Sequence, residues 1–351
     1  MASSSFNLKI TLSITVLLIL FFAVSPANGE CDQSKYGEGC RDRAKALKFK
    51  IIAIGCILIT SMIGVCLPLF SRFLPALQPD RDLFVVVKAF ASGVILATGY
   101  MHVLPDSFDD LRSECLPKDP WHKFPFTTFI AMVAAIFTLM VDSFSISFFR
   151  KKLSNTDVED SDFNGNNQVK ELEQFGHGHG HGHFNSKDGQ QLLRYRVVAQ
   201  VLEAGIVVHS VVIGLSMGAS DNPCTIRPLI AALCFHQLFE GMGLGGSILQ
   251  AEYGLRMKTI MVFFFSTTTP FGIVLGIGLS KVYSDTSPSS LIVEGILNAV
   301  SAGLLNYMAL VDLLAAEFMG PKLQGNLKLQ SLSYIAVLLG AGGMALMAKW
   351  A

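Results

Sequence analysis

Apolar residues in this chain gather into blocks of about 20 residues, the length at which a helix crosses a hydrocarbon core about 30 Å thick. The blocks lack the alternation of a strand, and backbone groups in lipid must pair within their own segment, so each block predicts a helix. After the first block, eight predicted spans cover residues 50–70, 83–104, 124–149, 197–219, 228–250, 259–280, 290–318 and 332–349. We therefore predict an all-α polytopic membrane protein with eight transmembrane helices in a 3+2+3 order, in which spans 1–3 and 6–8 are candidates for an inverted repeat.

The first apolar block has the features of a signal peptide. Lys9 precedes the run "ITLSITVLLILFFAV", and the small residues Ala27 and Gly29 indicate cleavage after Gly29. Residues 1–29 are then removed, and residues 30–49 form an extracellular tail. The alternative is an uncleaved first span.

Composition agrees with a protein whose main partner is the lipid bilayer. Hydrophobic residues make up 51% of the chain and charged residues 15%, against about 25% charged in soluble domains. The formal net charge is zero and no basic domain stands out, so no nucleic-acid partner is expected. The sequence leaves the oligomeric state open, a homodimer included.

Basic residues set the predicted orientation. With the N-terminus outside, the cytosolic loops after spans 1, 3, 5 and 7 carry 13 Lys and Arg, against 6 in the remaining outer loops and the C-terminus. The N-terminal tail, with six more, is an exception. We predict that both termini are extracellular and favour the plasma membrane, although a signal peptide also serves internal membranes. Lys88 is expected to snorkel to the inner surface.

Seven cysteines are too few for a disulfide scaffold. Cys31 and Cys40 lie in the extracellular tail, where an oxidising compartment favours a bridge between them. Cys115 and Cys224 fall in loops on the same side of the membrane. The cysteines within the apolar spans are interpreted as packing residues.

Residues 150–194 form a polar segment that cannot bury a core, and we predict a disordered cytosolic loop. It separates the first three spans (50–149) from the last five (195–351). Its run "HGHGHGH" is typical of metal binding. The alternating histidines are His177, His179, His181 and His183. The alternative is a low-complexity insert without function.

The run "LCFHQLFEGMGLGGSIL" places His236, Gln237 and Glu240 in the middle of span 5. His236 and Glu240 are one helical turn apart and share a face. His209 and Ser210 lie in span 4, about 20 Å from its cytosolic end, while His236 is about 14 Å from the outer end of span 5. In a core of about 30 Å, both histidines are near the midplane of two antiparallel neighbours.

Ionisable groups at mid-membrane usually mark ion or proton pathways. Imidazole with carboxylate suits Zn²⁺, Fe²⁺ or Mn²⁺ better than Mg²⁺ or Ca²⁺. We therefore predict a metal site. The alternative is a buried histidine that only hydrogen-bonds a neighbouring serine or amide.

The glycines near these residues are interpreted as packing surface. The run "GMGLGG" fits the spacing of a dinucleotide-binding turn, but that turn needs a preceding strand, and this one lies within a spanning helix. Gly214 and Gly218, four residues apart in span 4, let a neighbouring helix approach closely.

Polar residues also occur nearer the ends of the spans. His102 and Asp106, with Asp109 and Asp110 behind them, predict a metal-capture site at the outer mouth, or else a solvated helix end. Asp142 would face an inner vestibule or pair with a basic residue. A weaker pathway signal comes from three residues that share a face of span 7: Glu294, Asn298 and Ser301.

Four motifs together resemble the ZIP family of metal transporters (Zrt-, Irt-like proteins), in its plant iron- and zinc-regulated branch. They are "MHVLPDSF" in span 2, "HSVVIGLSMG" in span 4, "FHQLFEGMGLG" in span 5, and the histidine-rich loop. The resemblance covers essentially the whole mature chain and implies eight spans, extracellular termini and a transport site between spans 4 and 5. The implied metal positions are His209, Ser210, His236, Gln237 and Glu240, and those near the entrance are His102 and Asp106.

Two positions depart from the pattern of some relatives. Ile213 stands where they have an acidic residue four after the first histidine, and Gln237 replaces a carboxylate. We therefore expect one principal transport site rather than a full two-metal centre.

The predicted function is import of divalent transition metal, chiefly Zn²⁺ or Fe²⁺, into the cytosol. Mn²⁺ and Cd²⁺ would suit the same ligand types, and no resident cofactor is expected. The chain has no visible nucleotide-binding domain, so ATP-driven transport is not expected. Two alternatives use the same ligands: an intramembrane metalloenzyme, with a metal-activated water, and a metal-sensing receptor that binds without flux.

Overall fold

The computed structural model describes residues 42–70, 81–159, 186–280 and 288–348. The described residues form no strand, and their long helices number eight. These are α1 (Arg43–Leu69), α2 (Asp82–Leu111), α3 (Phe126–Glu159), α4 (Ser186–Ala219), α5 (Pro223–Gln250), α6 (Leu255–Leu279), α7 (Pro288–Phe318) and α8 (Leu327–Ala348). The all-α prediction is confirmed over these ranges. The predicted signal peptide and the four loop histidines lie outside them.

Seven of the eight helices are long and apolar enough to span a membrane. The helix outside that set is α5, which at 28 residues is long enough. It carries His236, Gln237 and Glu240 in its middle, and these side chains lower its apolarity. The helix that falls short of the hydropathy of a span is thus the one that holds most of the predicted metal ligands.

Helices extend beyond the predicted spans. Helix α3 continues to Glu159 and α4 begins at Ser186, so both ends of the predicted disordered loop 150–194 are helical. Similarly, α1 begins within the predicted tail 30–49. Hydropathy marks the part of a helix in lipid, whereas the hydrogen-bonded ladder can continue through polar turns.

Asp42 begins α1 as its N-cap. Its carboxylate accepts a hydrogen bond from the Lys45 backbone N–H at 3.0 Å. This hydrogen bond, aided by the Lys45 side chain, lowers the pKa of Asp42. An acceptor at this position satisfies a backbone donor that has no partner within the helix.

The helices pack as two groups of four. In the first group, α1 packs against α5 and α6, and α4 packs against α6 and α5. In the second group, α2 packs against α8, and α7 packs against α3 and α2. The 3+2+3 order along the chain therefore does not describe which helices lie together, because α1 joins the later helices α4–α6.

Glycines bring backbones into contact within each group. A Cβ added to Gly214 would lie 2.6 Å from the Thr269 carbonyl oxygen, and Gly218 lies against Gly276 in the same α4–α6 contact. Gly241 and Gly245 of the "GMGLGG" run approach the Val65 backbone of α1. The packing interpretation of both runs is confirmed.

Contacts between the two groups are made by side chains. A Cβ on Gly243 of α5 would meet the Ile95 side chain at 3.2 Å, and one on Gly246 would meet the Phe84 ring at 3.4 Å. Buried aliphatic residues fill the space between the groups, with Ile95 from α2, Leu202 from α4 and Leu244 from α5 in one cluster. Backbone-to-backbone contacts thus bind each group internally, and interdigitated side chains join the groups.

The prediction that Lys88 snorkels to the inner surface is wrong. Its side chain is only 5% exposed, and its Nζ lies 2.5 Å from Glu317 Oε1 of α7. The same Nζ donates to Gln250 Oε1 of α5 at 2.6 Å. A carboxylate within reach satisfies the ammonium group inside the protein, which a single sequence cannot reveal.

Among the described cysteines, Cys115 and Cys224 are disulfide-bonded, while Cys56, Cys66 and Cys234 are free thiols. Both bonded residues fall on the side predicted to be extracellular. The predicted Cys31–Cys40 bridge lies outside the described residues.

The glycine contacts generate a prediction about stability. Gly276→Ala would push a Cβ against the Leu215 carbonyl oxygen and to within 2.7 Å of Gly218 Cα. We expect a loss of about 1–3 kcal/mol, as for other overpacked sites, seen as a lower melting temperature in detergent. Gly278→Ala, two residues along α6, is the matched control because its Cβ would meet nothing within 4 Å. Equal melting temperatures for the two variants would contradict the close packing of α4 on α6.

Candidate metal site

Helices α4 and α5 bring three of the predicted ligands together. The imidazole rings of His209 and His236 lie 5.7 Å apart between centroids. One ligand atom from each of His209, His236 and Glu240 lies within 4.8 Å of the others. Ligand atoms around a tetrahedral ion with bonds of 2.0–2.2 Å are about 3.3–3.6 Å apart, so a small inward shift of these side chains would bring all three into coordination.

These three side chains are sealed from solvent and have no hydrogen-bond partners in the described part of the chain. His209 is 1% exposed, and His236 and Glu240 are 0% exposed. Both ring nitrogens of each histidine and both carboxylate oxygens of Glu240 are unpaired. Burying such groups unpaired is costly, and most buried polar atoms in proteins are satisfied. Six unsatisfied atoms at one place make this cluster a candidate for binding a cation.

Ser210 and Gln237 complete the predicted set. Both are 1% exposed, and Ser210 Oγ and Gln237 Nε2 have no partner among the described residues. Several other buried hydroxyls in this protein donate to the carbonyl four residues earlier, as Ser92 and Ser247 do. Ser210 makes no such hydrogen bond among the described residues, so its hydroxyl oxygen is available to a ligand.

His102 lies closer to this centre than the sequence suggested. Its ring centroid is 6.2 Å from that of His236, and its side chain is buried. A π-helical turn, Gly99–Val103, interrupts α2 and directs His102 inward. Pro105 supplies the sequence signal, because its missing N–H leaves the carbonyl four residues earlier without a helical partner.

Asp106, one turn beyond His102, is exposed. Asp110 and Glu294 lie near enough to interact with it electrostatically, and Asn298 Nδ2 donates to Asp110 Oδ2 at 3.4 Å. The structure therefore brings two of the weaker sequence signals, from spans 2 and 7, into one acidic group at the end of α2 and start of α7.

Asp142 accepts a hydrogen bond from Tyr307 Oη at 3.3 Å, and Arg194 and Asp312 are within electrostatic range. Asp312 was missed by the sequence analysis. It lies in a second π-helical segment, Met308–Ala315, and is 3% exposed. Its Oδ2 has no hydrogen-bond partner within the described ranges. The only sequence signal for this carboxylate is a charged residue within the apolar run "ALVDLLAA".

Ile213, one turn after His209, is buried in an apolar cluster with Met217 and Ile273. That side of the site therefore offers packing rather than a further carboxylate. Ser301, on the pathway face suggested for span 7, is fully buried, and its hydroxyl has no partner in the part of the chain that the structure describes.

Comparison with known proteins identifies the family of this chain. A family model described as "ZIP Zinc transporter" matches residues 47–348. The chain is 60% identical to "Fe(2+) transport protein 1" of Oryza sativa subsp. japonica, over 94% of this chain and 92% of that protein. It is 57% identical to "Zinc transporter 7" and 56% identical to "Fe(2+) transport protein 1" of Arabidopsis thaliana, each over the full length of both chains. The chain therefore belongs to the ZIP zinc transporter family.

Proposed function

We propose that this protein imports divalent transition metal, Zn²⁺ or Fe²⁺, into the cytosol, and that His209, His236 and Glu240 hold the ion in transit. One observation carries the proposal: the ligand atoms of these three residues lie within 4.8 Å of one another. Membership of a family of metal transporters supports it, as do relatives of over 50% identity named for iron and for zinc.

The donor set suits a borderline cation. Two imidazole nitrogens and one carboxylate are typical ligands of Zn²⁺ and Fe²⁺, while Mg²⁺ and Ca²⁺ prefer all-oxygen sites. Ser210 and Gln237 add neutral oxygens. A site with one formal negative charge leaves a bound divalent ion partly uncompensated, which helps the ion to leave as well as to enter.

We further propose that α5 is the eighth span and that both termini face the outside of the plasma membrane. Its 28 residues are enough to cross the bilayer, and it packs within the first helix group. The excess of Lys and Arg in the loops after spans 1, 3, 5 and 7 supports this orientation. A cleaved signal peptide, residues 1–29, accounts for the translocated tail.

The polar side chains suggest a route for the ion. Asp106 and its acidic neighbours would attract cations at the outer end of α2, and His102, beside His236, would pass them to the central site. On the cytosolic side, Asp142 and the histidines of the 150–194 loop would receive the released ion. Family membership favours transport over both alternatives, the metalloenzyme and the receptor.

Uptake of radiolabelled zinc by yeast lacking its own zinc importers tests the site. We expect His209→Ala with Glu240→Ala to reduce uptake to below about 1% of wild type, because loss of even an outer-shell partner costs 10–100-fold in metal affinity. His122→Ala and Glu252→Gln change the same residue types at exposed positions and should transport normally. Undiminished uptake by the double variant, with normal surface expression, would refute the proposal.

His102 has a different expected effect. As a residue that passes the ion to the central site, it should influence capture more than translocation. We expect His102→Ala to raise KM for zinc about tenfold while changing Vmax by less than about twofold. A collapse of Vmax with unchanged KM would instead make His102 part of the translocation step.

The number of metal ions bound per chain can be measured directly. With Ile213 packed in an apolar cluster, we expect one Zn²⁺ per chain in purified protein whose residues 177–183 have been deleted. Ile213→Glu places a carboxylate one turn from His209 and should raise the count toward two. Equilibrium dialysis with elemental analysis measures this, and two ions bound by the Ile213 protein would contradict the single-site interpretation.

A further inference from the structure

The boundary between the two helix groups contains a polar cluster that metal coordination does not use. Lys88 of α2 and Glu317 of α7 both belong to the second group, and their side chains form an ion pair at 2.5 Å. Gln250 of α5 belongs to the first group. Its Oε1 accepts from Lys88 at 2.6 Å, and its Nε2 donates to Glu317 Oε1 at 3.3 Å.

The Gln250 amide of the first group thus hydrogen-bonds both members of an ion pair in the second group. Three other hydrogen bonds between distant parts of the chain stay within a group. Lys50 donates to the Gly218 carbonyl and Tyr253 donates to the Arg196 carbonyl, both inside the first group. Ser107 of α2 donates to the Gly295 carbonyl of α7, inside the second. Gln250 differs because it makes hydrogen bonds to charged side chains of the other group.

The position of the cluster relates it to the metal site. Gln250 is ten residues after Glu240 on α5, or about 15 Å along the helix axis, at the end that we place in the cytosol. Between these two levels, a small cavity opens at the boundary, lined by Phe84 and Val87 of α2 and by Met242 and Gly246 of α5. Lys88 also lines this cavity. The boundary is therefore incompletely filled beside the cluster.

We propose that Gln250, held by the Lys88–Glu317 pair, is a clamp between the two helix groups that closes the cytosolic path from the metal site. This rests on the proposed transport function, since alternating access moves one helix bundle against another. Release of the ion toward the cytosol then requires both Gln250 hydrogen bonds to break. The Lys88–Glu317 pair stays intact within its own group, so no charge is left unpaired when the clamp opens.

The test is accessibility of the boundary from the cytosolic side. Met242 is 9% exposed and lines the cavity, so Met242→Cys reports opening. The reporter is placed in the full chain with the free cysteines Cys56, Cys66 and Cys234 changed to alanine. Inside-out vesicles are treated with a membrane-impermeant maleimide, and the rate of labelling is measured.

Gln250→Met keeps the size of the side chain and removes both hydrogen bonds. We expect it to raise the labelling rate about tenfold, the change in population that corresponds to the loss of a hydrogen bond to a charged group. Gln250→Asn, one methylene shorter and unable to reach Lys88, should act in the same direction. Lys50→Met is the matched control, because it removes a buried lysine whose described hydrogen bond stays within one group, and it should leave the rate unchanged.

Wild-type labelling rates in both Gln250 variants would overturn the clamp. So would an equal increase in Lys50→Met, since that would reflect general loosening of the fold. Zinc uptake measured on the same proteins separates the two proposals. Absence of uptake by the wild type would refute transport, while the ratio of labelling rates would still decide whether Gln250 holds the groups together.

Discussion

The requirement that polar groups inside a bilayer find partners governs this structure. Backbone groups meet it by forming helices, and glycines let those helices touch. Lys88 meets it with Glu317 and Gln250, and Lys50 meets it with a carbonyl at the end of α4. Around His209, His236 and Glu240, the residues that the structure describes leave the requirement unmet. This contrast, between polar groups that have partners and a cluster that has none among the described residues, is what makes the cluster a candidate binding site.

The helices and the proximity of His209 to His236 could be predicted from the sequence because lipid imposes simple rules. The helices follow from the length of apolar segments, and the partnership of His209 with His236 follows from counting residues inward on two adjacent spans. Those arguments need only the rise of a helix and the thickness of a bilayer. They succeed for residues whose positions are fixed by depth and by one short connection, as in α4 and α5.

The direction of His102, the burial of Lys88 and the grouping of the helices could not be predicted, because they depend on contacts between helices that are distant in the chain. The inward direction of His102 required a π-helical turn, and the burial of Lys88 required a carboxylate 229 residues away. Sequence order grouped the helices as three, two and three, whereas α1 packs with α5 and α6. Depth along the membrane normal can be read from one segment, but lateral position cannot, because similar apolar faces admit many neighbours.

The imidazoles around the central site are divided between the two helix groups. His209 and His236 come from the first group, whereas His102 comes from the second, through α2. An ion held at the centre would keep two of these rings as the groups shift and would part from the third. The affinity of the protein for a bound ion would therefore depend on its conformation. Movement of the helix groups would itself loosen the coordination sphere.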